Sequence, residues 1–186
     1  MKQTKSDRTR ATILDAARRI FAMEGYERAT IRDIAAAASI DPAMVIRYFH
    51  SKDELFARTA EFDLRLPDLR MVEREKIGET LVRHFLSLWE GEGAYQGLAV
   101  MLRSAASNES ALAKLEAVFI GQVLPALARA EGPLSPRDRA GLVASQLLGL
   151  AFCRYVIKLK PVVDLSQDLI VLELGKTLQS YLAGDR

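Results

Sequence analysis

The chain has 186 residues, 49% hydrophobic and 27% charged, and its net charge of +2 divides into +3 over residues 1–60 (11 basic, 8 acidic) and −1 over residues 61–186 (15 basic, 16 acidic). With six prolines and eleven glycines, this composition excludes a disordered or collagen-like chain and fits one globular domain, or a small module joined to a larger one. The positive N-terminal part suits a polyanionic partner, although a charged terminus is equally compatible with a solvated tail.

The first predicted helix covers about residues 6–24. Its apolar residues recur at helical spacing, and Gly25 follows directly, where the end of a helix favours a left-handed residue. Thr30 and Asp33 then form a capping box that begins a short helix over 31–38.

The stretch "DPAMVIRYFHSKDEL" carries two helix start signals ten residues apart. Asp41 with Pro42 is a cap followed by a residue suited to the first helical position, and Ser51 with Glu54 is a capping box. The helix between them has about two turns and would be marginal alone. Two short helices joined by a tight turn predict a helix-turn-helix over about 31–50, whose second helix projects its N-terminal residues toward a major groove.

The helix from Lys52 is predicted to continue to Leu66 and to end at Pro67. Helices then follow over about 77–90, 94–106, 109–130, 136–160 and 165–183, and no segment has the alternation of a strand. The sequence therefore predicts an all-α protein. Its expected parts are an N-terminal three-helix helix-turn-helix domain (1–50), a connecting helix (51–66) and a larger C-terminal helical domain (67–186).

Composition and motifs also limit the class of activity. Cys153 is the single cysteine, so an intramolecular disulfide is excluded and a reducing compartment is favoured. The start, "MKQTKSDRTRA", lacks the apolar stretch of a signal peptide, and no apolar run approaches the ~18 residues of a membrane span. His50 and His84 lack partners at metal-ligand spacing, and no phosphate loop or nucleophile elbow is present. We therefore expect a cytoplasmic protein that does not bind a membrane, a metal or a cofactor and has no catalytic activity.

The segments "TILDAARRIFAMEGYERATIRDIAAAASID" and "VIRYFHSKDELF" resemble the N-terminal domain of the TetR family of transcriptional regulators, over about residues 8–56. The resemblance implies a homodimeric repressor that a small molecule releases from a palindromic operator. Two positions depart from the family pattern. Ser39 occupies a turn position that is commonly glycine, so it should adopt a left-handed conformation. Ile46 replaces a tyrosine that often touches phosphate, which leaves that contact to Arg47 or Tyr48.

The expected DNA-contacting residues follow from the motif. They are Thr30, Arg32, Pro42, Ala43, Met44, Arg47, Tyr48 and Lys52. The apolar start of the second short helix favours contacts with thymine methyl groups. Lys52 opposes the dipole at the start of its helix, which a bound phosphate would explain. Because Arg47 and Lys52 are expected at the surface, replacing either with Ala should change stability by no more than about 0.5 kcal/mol.

The last two long helices are predicted to form the dimer interface. The helix over 136–160 is apolar all round and the helix over 165–183 has two apolar faces, so each is covered on more than one side. The family resemblance implies a four-helix bundle between protomers, and one well-buried core is the alternative. The expected interface residues are Leu147, Leu148, Leu174, Leu178 and Tyr181.

The resemblance also implies an effector pocket in the C-terminal domain for an apolar or amphipathic compound. Its candidate residues are Phe62, Phe85, Trp89, Tyr95, Met101, Arg103, Phe119 and Phe152. Aromatic and Met residues at helical spacing are more often plain core, and Arg103 could pair internally or meet a ligand carboxylate. The alternative is an α-helical ligand-binding or interaction protein whose helix-turn-helix has lost DNA binding. The replacement of the phosphate-contacting tyrosine by Ile46 is the observation that suggests it.

Overall fold

The computed structural model describes residues 4–59, 63–91, 96–106, 108–130 and 132–183, and the regular structure in these ranges is helical. The helices are α1 (Lys5–Arg28), α2 (Ile31–Ala38), α3 (Pro42–Phe49), α4 (Lys52–Thr59), α5 (Ile77–Glu90), α6 (Gln96–Ser104), α7 (Glu109–Val118), α8 (Leu124–Ala128), α9 (Pro136–Ala151), α10 (Lys160–Val163) and α11 (Gln167–Ala183). Single 3-10 turns occur at Leu69–Met71 and Arg74–Lys76. A π-helical segment, Phe119–Val123, joins α7 to α8, and a second, Phe152–Val156, extends α9.

The N-terminal helices begin at the predicted caps. Asp33 N–H donates to Thr30 Oγ1 at 3.2 Å and Thr30 N–H donates to Asp33 Oδ2 at 3.1 Å, which completes the capping box of α2. Asp41 Oδ1 accepts from the N–H of Ala43 at 2.7 Å at the start of α3. Ser51 Oγ accepts from the N–H of Glu54 at 3.0 Å before α4. Each start is thus fixed by a side chain within three residues, which is why it could be predicted from the sequence.

The chain divides into two compact units, one formed by Met1–Phe62 with Gln96–Leu115 and the other by Asp63–Tyr95 with Glu116–Arg186. The sequence predicted a division at residue 67, whereas the contacts group α6 and most of α7 with the N-terminal helices, since α6 packs along α1. The helix predicted over 52–66 is also too long, because α4 ends at Thr59 and residues 63–68 are not helical. Arg65 has a positive φ of 46°, and the N–H of Leu64 donates to Gln122 Oε1 at 2.7 Å instead of to a helical carbonyl.

The core of the first unit is built around three aromatic rings. Phe21 and Phe56 meet edge to face with centroids 5.1 Å apart, and Tyr26 meets Phe56 at 5.0 Å. Gly25, with φ 79° and ψ 169°, breaks the helical path of α1 just before Tyr26. The largest of the aliphatic residues that complete this core are Ile13, Ile34, Val45 and Leu55, all fully buried.

The second unit is organised by the crossing of α5 and α11. Gly78 and Gly175 meet at this crossing, where a Cβ on Gly78 would overlap the carbonyl oxygen of Gly175 and lie 2.7 Å from the backbone N of Gln179. The Gln179 side chain fixes the register, because its Oε1 accepts from the N–H of Gly78 at 2.9 Å and its Nε2 donates to the carbonyl of Arg74 at 2.7 Å. Leu81, Val82, Leu178 and Leu182 are buried on these two helices.

The continuous helix Glu109–Ala128 is long and apolar enough to cross a membrane by length and composition. The sequence prediction concerned an uninterrupted apolar run, and this helix carries Lys114 and Glu116 among its apolar residues. Only 11% of its most apolar window is buried. It is nevertheless attached to its neighbours, since Gln122 accepts the hydrogen bond from Leu64, and Arg139 donates to the carbonyl of Leu127 at 3.2 Å.

Candidate functional site

The turn between α2 and α3 has the predicted left-handed residue. Ser39 has φ 55° and ψ 43°. Its N–H donates to the carbonyl of Ala36 at 3.0 Å, and the N–H of Ile40 donates to the carbonyl of Ala35 at 2.9 Å. These bonds use the carbonyls that the end of α2 leaves unpaired, so α3 begins at a fixed angle only three residues later.

Packing determines which face of the helix-turn-helix is presented outward. Ile34, Ala35 and Ala38 of α2 and Val45 and Phe49 of α3 are buried. The opposite faces are therefore left for a partner. Of the predicted DNA contacts, the exposed residues are Thr30, Arg32, Pro42, Ala43 and Arg47, and the half-buried residues are Met44 and Tyr48.

Within α3 the outward residues form one stripe. Ala43 and Arg47 are one helical turn apart and therefore lie on the same side. Ile46, where family members often have tyrosine, is 43% exposed and apolar. The surface therefore combines an apolar start, suited to thymine methyl groups, with one cation further along.

Lys52 has a different position from the one expected. Its ammonium donates to the carbonyls of Tyr26 at 2.8 Å, Ala29 at 3.1 Å and Glu27 at 3.4 Å. It also lies 4.2 Å from the centroid of the Tyr26 ring. Three carbonyls use the three N–H donors of an ammonium group. These contacts contradict the prediction that Lys52 is a freely exposed surface residue, and the carbonyls at the end of α1 compensate its charge at the start of α4 without a phosphate.

Asp53 strengthens the same junction. The hydroxyl of Tyr26 donates to Asp53 Oδ1. Burial, followed by this hydrogen bond, raises the pKa of the Tyr26 phenol above its usual range. Lys52 and Asp53 therefore hold the first turn of α4 against the last turn of α1 from two directions.

Arg10 is a residue that the sequence reasoning did not single out. Its guanidinium carbon lies 5.6 Å from the centroid of the Tyr48 ring, so α1 contacts the outward side of α3 through a cation–π pair. The available signal was its place in the basic N-terminal segment, but sequence spacing cannot show that it meets α3.

The residues predicted to line an effector pocket do not come together in one place. Phe62 and Tyr95 lie outside the described residues. Met101 belongs to the first unit, where it is 1% exposed. Arg103, in the same unit, donates from Nη1 to the carbonyl of Ala22 at 3.0 Å. Met101 and Arg103 therefore support the packing of α6 on α1, which agrees with the alternatives of plain core for Met101 and internal pairing for Arg103.

The other candidates lie in the second unit. Phe85 and Trp89 form an aromatic group with Tyr155, in which Trp89 and Tyr155 stack with centroids 4.6 Å apart and an interplanar angle of 7°. Phe119 is half-buried at the start of one π-helical segment, and Phe152 is 40% exposed at the start of the other. The sequence reasoning missed Tyr155, whose ring completes the stack.

A polar network adjoins this aromatic group. The Glu90 carboxylate accepts from Gln167 Nε2 at 2.5 Å, from the Tyr155 hydroxyl at 2.6 Å and from Arg154 Nε at 2.8 Å. Burial alone would raise the pKa of the Glu90 carboxyl, but the three donors together lower it below its ordinary value. Arg154 Nη1 also donates to the carbonyls of Val162, Val163 and Leu165 at 2.8–3.0 Å.

A groove of about 250 Å³ lies beside the network, between α5 and α11. It is lined by Arg83, Leu86, Ser87, Glu90, Gly91, Gln167 and Val171. None of the predicted effector residues lines it, and its wall is partly polar. In the described part of the chain, no group of three or more His, Cys, Asp or Glu side chains could hold a metal ion.

The predicted dimer residues lie in different environments. Leu178 is fully buried inside its own protomer, so its assignment to the interface is wrong. Leu147, Leu148, Leu174 and Tyr181 are half-buried. The more exposed apolar residues of α9, α11 and the segments between them are Leu142, Phe152, Ile157, Leu159, Val163, Leu169 and Leu172, each 38–55% exposed.

Comparisons with known proteins agree with this architecture. Residues 75–182 match the model of the tetracyclin repressor-like C-terminal domain, and residues 13–59 match the model of the bacterial regulatory proteins of the tetR family. The transcriptional repressor NicS of Pseudomonas putida is 30% identical over 115 residues, 53% of this chain and 54% of NicS. The transcriptional regulator TcmR of Streptomyces glaucescens is 36% identical over 55 residues, 30% of this chain and 24% of TcmR. The chain thus spans about half or less of these curated relatives.

Solved structures resemble the chain over nearly its whole length. A TetR-family regulator from Streptomyces coelicolor shares 26% identity with a TM-score of 0.61, over 98% of both chains. GusR of Salmonella enterica shares 17% identity with a TM-score of 0.71, over 98% of this chain and 99% of its own, which shows the common fold. Since the C-terminal family match alone covers more than half of the 186 residues, the chain belongs to the TetR family of bacterial regulatory proteins.

Proposed function

We propose that this protein is a cytoplasmic transcriptional repressor that binds a palindromic operator as a homodimer and is released by a small apolar or amphipathic ligand. The observation that carries the proposal is the helix-turn-helix surface, where α3 is capped at Asp41, anchored by buried Val45 and Phe49, and exposed at Ala43 and Arg47. The alternative of a helix-turn-helix that has lost DNA binding finds no support among the relatives, which are named transcriptional repressors or regulators.

The proposed DNA contacts are Thr30, Arg32, Pro42, Ala43, Met44, Arg47 and Tyr48. Pro42 and Ala43 reach thymine methyl groups in the major groove, and Arg47 supplies charge to the adjacent backbone or base edges. Lys52 is left out of this set because its three donors are occupied by carbonyls. Its role in binding is indirect, through the position of α4.

The proposed dimer uses the exposed apolar residues of α9 and α11. Leu169 and Leu172 are 45% and 55% exposed and lie one turn apart on α11, while Leu142 and Phe152 are 38% and 40% exposed on and just after α9. Covering this surface with a second copy removes apolar area from water, which is the usual driving force for a homodimer. A two-fold pair of recognition helices then reads two half-sites at least one helical turn apart.

The effector is proposed to act on the second unit near Phe85, Trp89 and Tyr155. These rings supply apolar and aromatic surface, and the Glu90 network beside them connects α5 to the extension of α9 and to α11. A ligand that separates the rings would disturb the network. It can change DNA affinity only through its differential affinity for the two arrangements, typically about 1–3 kcal/mol.

DNA binding is tested with fragments selected from random or genomic DNA by the wild-type protein. Arg47→Ala should weaken binding at least about tenfold, as the loss of one good contact does, with an unchanged unfolding midpoint. Arg137→Ala is the matched control, because Arg137 is equally exposed but lies on the first turn of α9. Equal affinities for both variants would place the DNA surface elsewhere. A wild-type protein without salt-dependent DNA binding would refute the function itself.

The dimer and the effector have separate tests. Leu172→Glu should give a folded monomer in sedimentation analysis, and a dimer that persists would exclude this face. For the effector, Trp89 is the single tryptophan, so a releasing ligand should change its fluorescence over the same concentration range that releases operator DNA. Ligands that change Trp89 fluorescence but never change DNA affinity would contradict the regulatory part of the proposal.

A further inference from the structure

Arg10 connects α1 to the proposed recognition helix by a side-chain contact. Arg10 is exposed, and its guanidinium lies over the ring of Tyr48 at 5.6 Å. Tyr48 is half-buried because its ring also packs against the core of the first unit. Packing therefore holds the ring in place, and the guanidinium carbon of Arg10 lies over it.

The chemistry of this pair suits a phosphate. A guanidinium is planar, and its N–H donors lie in that plane, where they can bind a phosphate in a bidentate manner. Asp7 is the nearby acidic group that acts on Arg10. Its carboxylate, however, accepts from the N–H of Thr4 at 3.1 Å and the Thr4 hydroxyl at 2.7 Å. Among the described residues, no ion pair within 4.0 Å forms between Arg10 and a carboxylate.

We propose that Arg10 and Tyr48 together bind one backbone phosphate of each operator half-site, with the Tyr48 hydroxyl and the Arg10 guanidinium as the two donors. The inference rests on the proposed DNA-binding function and adds α1 to its contact surface. It also explains how the chain manages without the tyrosine that family members often have at position 46. The apolar Ile46 cannot bind phosphate, and Tyr48 lies two residues further along the same helix with a cation from α1 beside it.

A contact with the phosphate backbone has a signature that a structural role lacks. Removing one phosphate contact lowers affinity alike for operator and non-operator DNA, and it reduces the salt dependence of binding by about one released counterion per half-site. If the Arg10–Tyr48 contact only stabilised the position of α3, its loss would lower affinity without changing that slope.

The test measures DNA affinity by fluorescence anisotropy over a series of salt concentrations, on a fragment selected by the wild-type protein and on a scrambled fragment. Arg10→Gln should weaken binding about tenfold on both fragments and reduce the salt slope by about one per half-site. Arg19→Gln is the matched control, because Arg19 is on the same helix, has a 57% exposed side chain and pairs only weakly with Asp15 at 3.8 Å. It should bind as the wild type does.

A second pair of variants tests whether the two side chains share the phosphate. Tyr48→Phe keeps the ring under Arg10 and removes the hydroxyl, so it should weaken binding less than Arg10→Gln. The double variant should lose less affinity than the product of the two single losses, because one phosphate contact can be lost only once. Arg10→Lys keeps the charge and should retain most of the salt slope. Circular dichroism melting of every variant monitors folding.

The outcomes separate the inference from the function on which it rests. If the wild type binds DNA and Arg10→Gln matches Arg19→Gln in affinity and slope, the Arg10 contact is refuted while DNA binding stands. Fully independent losses in the double variant would refute the shared phosphate. A wild type with no salt-dependent DNA binding would refute the proposed function together with the inference.

Discussion

The two compact units are each held together by an ionised group at a helix end, and the two groups have opposite charge. In the first unit the ammonium of Lys52, at the start of α4, donates to three backbone carbonyls at the end of α1. In the second unit the carboxylate of Glu90, at the end of α5, accepts from Arg154, Tyr155 and Gln167. Both arrangements satisfy a charge with three hydrogen bonds, but they use different partners.

The difference determines what can disturb each unit. Backbone carbonyls neither titrate nor change with sequence, so the Lys52 junction depends on the path of α1 and on Lys52 itself. The Glu90 network consists of side chains, and its acceptor is a carboxylate that can be protonated. The first junction therefore suits a unit that must hold a fixed DNA-facing shape, and the second suits a unit whose arrangement responds to a ligand.

The largest effect is expected at Gly78, where the second unit depends on a close backbone approach. Gly78→Ala would place a Cβ against the backbone of Gly175 and Gln179, which cannot move as a side-chain end can. We expect a loss of about 3 kcal/mol in the free energy of unfolding, measured by urea denaturation. Gly25 of the first unit would meet nothing within 4 Å, and its requirement for glycine comes instead from its backbone, since its φ is 79°.

Gly141→Ala is the control for this prediction. Gly141 lies within α9 and a Cβ there would meet nothing within 4 Å, so the variant should gain about 0.5–1 kcal/mol from the higher helix propensity of Ala. If Gly78→Ala is as stable as Gly141→Ala, α5 and α11 do not cross at these glycines.

The next largest effect is expected at Lys52, which tests the junction of the first unit. Lys52→Met keeps most of the apolar stem on the Tyr26 ring but removes three donors, and it leaves partly buried carbonyls without them. We expect a loss of about 2 kcal/mol in unfolding free energy by urea denaturation, since hydrogen bonds to a charged group contribute about 1.5–3 kcal/mol. Arg19→Ala, which breaks only an exposed pair, should change stability by less than about 0.5 kcal/mol. A Lys52→Met variant as stable as that control would restore the view of Lys52 as a surface cation.

The same two junctions show what could be predicted from the sequence. The caps at Thr30, Asp41 and Ser51 and the left-handed Ser39 were predicted because each depends on residues within a few positions. The role of Lys52 was not, because its carbonyl partners lie 23 to 26 residues earlier in the chain. From the sequence alone, a cation at the start of a helix is equally consistent with contacts to backbone carbonyls and with a bound phosphate.

The errors of the sequence predictions in the C-terminal part also arose because tertiary packing cannot be inferred from the sequence alone. The helix containing Leu178 has two apolar faces, and the sequence does not indicate which one faces its own protomer. Leu178 is buried there, while Leu172 is 55% exposed. For Arg103, which interrupts an apolar stretch, the sequence left internal pairing and a ligand carboxylate open, and the structure shows an internal hydrogen bond to a carbonyl 81 residues away. Such long-range contacts leave no periodic signal in the chain.

A smaller effect is expected from Glu90→Gln, and it depends on pH. The folded protein lowers the pKa of Glu90 from its ordinary value near 4.5. The carboxylate therefore contributes stability that is fully present above that value and is lost as pH falls through the lower folded pKa. We expect Glu90→Gln to be less stable than the wild type at neutral pH by about 1–2 kcal/mol. The difference should shrink as acid protonates Glu90, as measured by urea denaturation across the acidic range.

Lys52→Met provides the comparison across the same pH range. Its stability deficit should stay constant where the Glu90→Gln deficit shrinks, because the acceptors of the first junction are backbone carbonyls, which do not titrate. A Glu90→Gln deficit that is independent of pH would show that the second junction depends on shape and not on the charge of Glu90.

The smallest effect is expected at Ser39, which tests how strongly the first unit depends on local geometry. Ser39 has φ 55° and ψ 43°, a conformation that costs a residue with a Cβ about 1 kcal/mol relative to glycine. Ser39→Gly should therefore raise the stability of the first unit by about 0.5–1 kcal/mol, which is a rise of about 1–4 °C in melting temperature for a protein of this size. Ser39→Ala keeps the Cβ and removes only the hydroxyl, so it should give no such gain. DNA affinity should be unchanged in both variants, because the turn keeps its shape and Ser39 is not among the proposed contacts. If Ser39→Gly and Ser39→Ala melt at the same temperature, the turn is not left-handed at this residue, and the angle between α2 and α3 must be fixed by the buried residues Ile34 and Val45 alone.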